Sequence, residues 1–298
     1  MAPPPLTPSL AGMFNTVIVG IDGKPGGRDA LALARHLSGP DASLSLAYVY
    51  QGDAVPARGS SGAFEVTERD RGHALLETAR REAGIEAGLL TGAAPSVGRG
   101  LHELVEREHA DLLVVGSSSR GLIGRVAQGD DARAALNGAE CAVAVAPAGY
   151  AERHVAWREI GVGYDGSPQS AHALEVAKEL AEKHGAKVSA FEAVSLPSYT
   201  FAGGAEAIAA ALSSYVESAR QRIAALGVEP HAAYGVPAEE LALYGASLDL
   251  IVVGSRGYGP IGRVFHGSTS NHLARVARCA LLVLPRADIA DGTPATSG

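Results

Sequence analysis

The hydrophobic pattern of the chain alternates between two kinds of segment. In the second half, "REIGVGY" reads as a strand leading to Asp165. "SPQSAHALEVAKELAEKHG" follows, with apolar residues at the helical spacing of Ala173, Val176, Ala177 and Leu180, and it stops at Gly185, a residue suited to a helix C-cap. "AKVSAFEAV" is a strand, "GGAEAIAAALSSYVESARQRIAALG" a long amphipathic helix, "VEPHAAYG" a strand and "VPAEELALYGAS" a helix. "LDLIVVG" is a strand, "HGSTSNHLARVARC" a helix and "ALLVLP" a last strand, which completes the order β-α-β-α-β-α-β-α-β. Strands alternating with helices predict a parallel sheet covered on both faces. The unbroken apolar runs "LLVVG" and "LIVVG" suit central strands buried on both sides.

The pattern occurs twice. "DLLVVGSSSRGLIGRVAQGDD" aligns without a gap with "DLIVVGSRGYGPIGRVFHGST", so Gly116 matches Gly254, Gly129 matches Gly267, and beyond them Cys141 matches Cys279 and Pro147 matches Pro285. Earlier in each half, "VIVGIDGKPGG" matches "IGVGYDGSPQS", pairing Asp22 with Asp165. A chain of 298 residues fits two domains of roughly 150. The expected fold is two tandem doubly wound α/β domains, each with a five-stranded parallel sheet. Residues 13–150 and 151–286 form the domains, joined near "PAGYAERHVAW". Residues 1–12, rich in proline, and 287–298 read as a disordered leader and tail. The leader lacks the basic and apolar regions of a signal peptide.

Composition narrows the picture. Aromatic residues are 5% of a chain that is 47% hydrophobic, so the core must be built from Ala, Val and Leu. The formal net charge of -7 argues against a nucleic-acid or anionic-membrane surface. No apolar run approaches the ~18 residues of a membrane span, and the cytoplasm is the expected location. Cys141 and Cys279 hold the same place at the start of the last strand of each half, as small buried hydrophobes rather than a redox pair. No Cys/His cluster appears, and no metal site is expected.

The candidate chemistry lies in "VVGSRGYGPIGRVFHGSTS". One reading takes G-x-G-x-x-G at Gly257, Gly259 and Gly262 as a dinucleotide fingerprint. That motif belongs in the first βα turn, with an acid about 20 residues later; here it follows the fourth strand, Pro260 interrupts it, and no acid occurs in "RCALLVL". The other spacing, Gly254, Gly257, Gly267 and Ser268, fits phosphate better. Gly254 ends a buried strand, Gly257 permits a close turn, and Gly267 and Ser268 open a helix whose free N–H groups and positive dipole end attract anions. Thr269 and Ser270 add hydroxyls, the intervening "YGPIGRVFH" would form a flap over the phosphates, and Arg256 or Arg263 would either lie near their charge or serve only as a surface cation. Asp165 could accept from a ribose hydroxyl where strand order switches beside the fourth strand.

These motifs resemble the universal stress proteins, and the resemblance covers almost the whole chain as a tandem pair. The ATP-binding branch of that family carries G-x2-G-x9-G-[ST], and "GSRGYGPIGRVFHGS" matches each fixed position. The resemblance implies strand order 3-2-1-4-5, with the last strand used for pairing between domains. It implies ATP, alone or with Mg2+, held in the second domain by Asp165, Gly166, Ala193, Val194, Gly254, Ser255, Arg256, Gly257, Gly267, Ser268, Thr269 and Ser270. A weaker first-domain site would use Asp22, Gly23, Val49, Gly116, Gly129 and Asp130.

The first half departs from the pattern. Ser119 stands where the second half has Gly257, and Asp130 where it has Ser268. A carboxylate ~4 Å from a phosphate charge, at an effective dielectric of ~20, costs about 4 kcal/mol. Asp130 is also a good N-cap and would occupy the N–H groups itself. The halves are therefore expected to be unequal, with ATP in the second and weak or no ATP in the first. Simpler roles stand beside these. The glycines could serve only turns and close packing, Asp22 and Asp165 could only cap the following turn, and His266 could be merely solvated. The functional expectation is a nucleotide-binding stress regulator. A ligand-free scaffold that presents paired domains for dimerisation is the alternative, and a dimer of tandems fits as well as intrachain pairing. No catalytic constellation is evident; slow ATP hydrolysis or phosphotransfer stays open, since bound ATP needs little beyond positioning.

Overall fold

The computed structural model describes residues 14–52, 61–117, 131–153, 156–195, 205–255 and 267–285. The first half runs β1 (Phe14–Gly20), α1 (Pro25–Leu37), β2 (Ser38–Gln51), α2 (Ser61–Ala83), β3 (Gly88–Ala94), α3 (Val97–Glu108), β4 (Leu112–Gly116), α4 (Asp131–Leu136) and β5 (Ala142–Ala146). A single 3-10 turn (Tyr150–Glu152) lies in the connection. The second half repeats the order: β6 (Glu159–Gly163), α5 (Pro168–His184), β7 (Lys187–Val194), α6 (Ala205–Ala224), β8 (Glu229–Tyr234), α7 (Pro237–Tyr244), β9 (Leu250–Gly254), α8 (Ser268–Val276) and β10 (Ala280–Leu284). Helix α5 begins with Ser167 as its N-cap and Pro168 in its first turn, and it ends at Gly185 with φ of 67°.

All ten strands join one sheet in the order β3-β2-β1-β4-β5-β10-β9-β6-β7-β8. Each half thus has the expected order 3-2-1-4-5. Neighbours within a half are parallel. The exception joins the halves: β5 and β10 are antiparallel, with Leu282 opposite Ala144. The last strand of each half therefore serves the pairing between domains.

Burial follows the strand period. Val17, Val19, Leu250, Val252, Ala142, Ala144 and Leu282 face one side. Ile18, Ile251, Val253, Val143, Val145, Leu281 and Val283 face the other. Both sides are dry, which is why these strands read as unbroken apolar runs. Each apolar layer continues across the β5–β10 seam. The first layer unites Ala30, Leu33 and Leu37 of α1 with Ala173, Ala177 and Leu180 of α5, and both helices lie over it.

Candidate functional site

Strand order switches at β1, which sits between β2 and β4, and at β6, which sits between β7 and β9, and in open α/β sheets ligands bind at the carboxyl ends beside such a switch. β6 pairs with β9, so the segment that follows Gly163 emerges beside the end of β9. Asp165 lies there, exposed. Its Oδ1 accepts the Ser167 N–H at 3.0 Å and the Ser167 hydroxyl at 2.5 Å. Gly166 between them has φ of 76°, a conformation that suits glycine. This turn holds the carboxylate just beyond the carboxyl end of β6, beside β9, while Ser167 also accepts from the Ser170 N–H.

The first half builds the same turn with one change. Asp22 Oδ1 accepts the Lys24 N–H at 2.9 Å, and Gly23 has φ of 79°. Lys24 stands where the second half has Ser167, and its ammonium lies 2.8 Å from Asp22 Oδ2. A cation thus sits on the first-half carboxylate that the second half reserves for a neutral hydroxyl. This difference sits in plain view in "DGKP" against "DGSP", and the motif comparison passed over it.

Gly254 and Gly116 have a packing task. A Cβ on Gly254 would come 2.6 Å from the Gln169 carbonyl oxygen, and one on Gly116 would come 2.2 Å from that of Gly26. In both halves the missing side chain lets the first turn of the first helix pack on the end of the fourth strand. The next residue is tied to the sheet: the Ser255 N–H donates to the Leu284 carbonyl at 2.9 Å, and the Ser117 N–H to Ala146 at 2.7 Å.

Gly267 is the N-cap of α8, and it has no side-chain cap to satisfy the helix's first N–H groups. Ser268 is exposed and Thr269 half-buried. Ser270 is buried, and its hydroxyl donates back to the Gly267 carbonyl at 3.2 Å. At the end of β7, Ala193 packs against the second apolar layer, whereas Val194 packs with Ala219 and Ala232 under α6, and its carbonyl accepts the Gly235 N–H at 3.3 Å. Val49 is buried in β2. Arg256, Gly257, Arg263, His266, Ser119, Gly129 and Asp130 lie outside the described residues, as do the leader, the tail and the flap.

Two features of the seam escaped the sequence reading. Asp29 is 4% exposed, and its carboxylate accepts the N–H groups of Gly149 at 3.0 Å and Ala151 at 2.8 Å. A charge inside the apolar stripe of "DALALARHL" is the signal that marks it. The second feature is a ring cluster of His36, Tyr150, Trp157 and His184. Cys141 and Cys279 are buried just before β5 and β10, and burial pushes each thiol up to about 12. Among the described residues no helix is long and apolar enough to cross a membrane.

The architecture defines a tandem doubly wound α/β protein with one switch in strand order in each half. Residues 13–147 and 156–285 match the universal stress protein family, and the chain belongs to that family. A universal stress protein of Mycobacterium tuberculosis is 30% identical over 184 residues, which span 58% of this chain and 61% of that relative's length. One from Thermus aquaticus is 36% identical over 140 residues, 43% of this chain and 98% of the relative. Among solved structures, a universal stress protein of Archaeoglobus fulgidus shares the fold with a TM-score of 0.62 at 19% identity, covering 91% of this chain and 98% of that one.

Proposed function

We propose that the second domain binds ATP in the crevice between β6 and β9, and that the protein is a cytoplasmic nucleotide-responsive regulator. One observation carries the reading. Among the described residues no side chain caps the first N–H groups of the helix that opens at Gly267 and Ser268, and exposed hydroxyl and carboxylate groups flank the same end of the sheet. Such a helix end suits phosphate. Ser268 and Thr269 offer hydroxyls to the phosphates, joined by Gly254 and Ser255 at the end of β9 and by Arg256 and Gly257, which follow them in the sequence. Asp165 accepts from the ribose, and Ala193 and Val194 border the base. Mg2+ would be carried by the phosphates. The first domain binds ATP weakly or not at all: Asp130 replaces the serine, and Lys24 sits on Asp22.

The ligand-free scaffold has its own support, because Gly254 and Gly116 perform the same packing task in both halves. Calorimetric titration with ATP, ADP, AMP and NAD separates the two. One ATP site per chain is expected. Asp165→Asn keeps an oxygen for the turn but weakens acceptance from ribose, so affinity should fall about tenfold or more, the loss of one charged hydrogen bond. Heat from none of the four ligands overturns the proposal in favour of the scaffold, and two equivalent sites overturn the asymmetry.

A further inference from the structure

The two domains meet at more than the β5–β10 ladder. The C-terminal end of α1, the C-terminal end of α5 and the connecting segment converge on four rings. Trp157 is 2% exposed and is the chain's sole tryptophan. Its ring centroid lies 4.6 Å from that of His184 and 5.4 Å from that of His36. Helix α5 also closes the end of α1. Lys183 donates to the Ser38 carbonyl at 2.7 Å and to the His36 carbonyl at 3.3 Å, and His184 Nε2 donates to the His36 carbonyl at 3.0 Å.

The hydrogen bonds among the rings tie the three segments together. The indole Nε1–H can only donate, and it donates to the Tyr150 hydroxyl at 2.9 Å. The same hydroxyl lies 2.8 Å from His36 Nδ1. With Nδ1 bare, the Tyr150 O–H donates to it and the chain of bonds from indole to imidazole closes. A cationic His36 carries hydrogens on both ring nitrogens and offers no acceptor, so Tyr150 must then turn its O–H away in a buried site.

The neighbouring charges act in the same direction. Arg35 on α1 and Lys183 and His184 on α5 all oppose a cation on His36. Tyr150 from the connecting segment is an uncharged phenol, its ionisation opposed first by burial and also by Asp249. Asp29 on α1 is engaged by the backbone of the connection.

We infer that this seam is a proton-sensitive latch, in which protonation of His36 releases the connecting segment and the end of α5 from α1. Tyr150 and Trp157 leave the edge of the first apolar layer while the β5–β10 ladder and the remainder of both layers stay in place, so the latch loosens the junction without unfolding the domains. Burial, then the charges of His184, Lys183 and Arg35, hold the His36 pKa below its ordinary value. Burial lowers His184 too; its bond to the His36 carbonyl opposes this, and Lys183 reinforces it. With the latched pKa depressed, the latch is at full strength above about pH 6.5. Below that, the released form takes up a proton that the latched form refuses. The latch weakens as pH falls, until pH passes the lowered value of His36 itself.

Trp157 reports directly on the latch in the full-length protein. The test is acrylamide quenching of its fluorescence from pH 7.5 to 5, with far-UV circular dichroism recorded in parallel. The expected result is a severalfold rise in the quenching constant with a midpoint below pH 6.5 and unchanged dichroism. In His36→Asn, whose oxygen replaces Nδ1 as an acceptor that does not titrate, quenching should stay low and flat. A wild type with pH-independent quenching overturns the proposal, as does a His36→Asn variant that responds like wild type. If the variant fails to fold, the wild type's own imidazole signals decide by NMR. A His36 pKa of 6.5 or higher overturns the latch, and a depressed value that coincides with the quenching midpoint supports it.

Discussion

Gly254→Ala tests whether the first glycine of the motif serves the protein as well as a ligand. The added methyl would lie 2.6 Å from the Gln169 carbonyl oxygen and 2.8 Å from both its carbonyl carbon and its Cβ. Reaching an ordinary ~3.5 Å contact requires a retreat of about 0.7–0.9 Å by the first turn of α5 or by the end of β9. Neither can move freely. α5 is seated by Ala173, Leu174, Ala177 and Leu180, and β9 is paired on both sides. Overpacking of this kind costs about 1–3 kcal/mol. Alanine also restricts the unfolded chain and returns about 0.4–1 kcal/mol. The net loss should be about 1–2 kcal/mol, or some 2–8 °C in melting temperature for a cooperative unit of 150–250 residues. The assay is urea and thermal unfolding without nucleotide, with Gly116→Ala as the matched variant, since its methyl would lie 2.2 Å from the Gly26 carbonyl oxygen. If ligand-free Gly254→Ala is as stable as wild type, the packing argument is wrong and the glycine answers to the ligand alone.

Two further outcomes follow from the core. Leu282 is fully buried at the centre of the seam, so Leu282→Ala should lose about 2–5 kcal/mol in urea unfolding; a loss below about 1 kcal/mol would mean the seam collapses around the gap. Cys141 and Cys279, with thiols pushed up to about 12 by burial, should resist iodoacetamide at pH 8 until urea unfolds the chain. Because the native values lie above the unfolded ones, stability is intact below about pH 9 and falls as pH rises beyond it. Rapid native alkylation, or stability that is flat from pH 8 to 10, contradicts this.

The fold was legible because each strand of the sheet's middle is buried on two faces, and that demand writes itself as "LLVVG" and "LIVVG". Helix α5 was legible at both ends because Ser167 and Gly185 are local signals, set by backbone geometry alone. The candidate site was legible only as spacing. The Asp165 turn is built from residues two apart, so it followed from "YDGS". The contact of Gly254 with Gln169 joins segments 85 residues apart, and no local pattern announces it. The seam cluster was opaque for the same reason. His36, Tyr150, Trp157 and His184 come from three segments, and each alone reads as an ordinary helix end or linker residue.

The antiparallel seam of β5 and β10 changes what the second copy is free to become. In a symmetric pair of separate chains every substitution appears twice and must suit both sides of its own interface. Within one chain, each residue at the seam occurs once. Lys24 can sit on one carboxylate while Ser167 sits on the other, and His36 can meet a lysine and a histidine from the opposite half. Association also ceases to depend on abundance, because the partner is always present at a tether-set local concentration, on the order of millimolar for a short linker. Covalent pairing thus releases the two copies from identity, and each can diverge at the seam and at its own Asp-Gly turn without a matching change in the other.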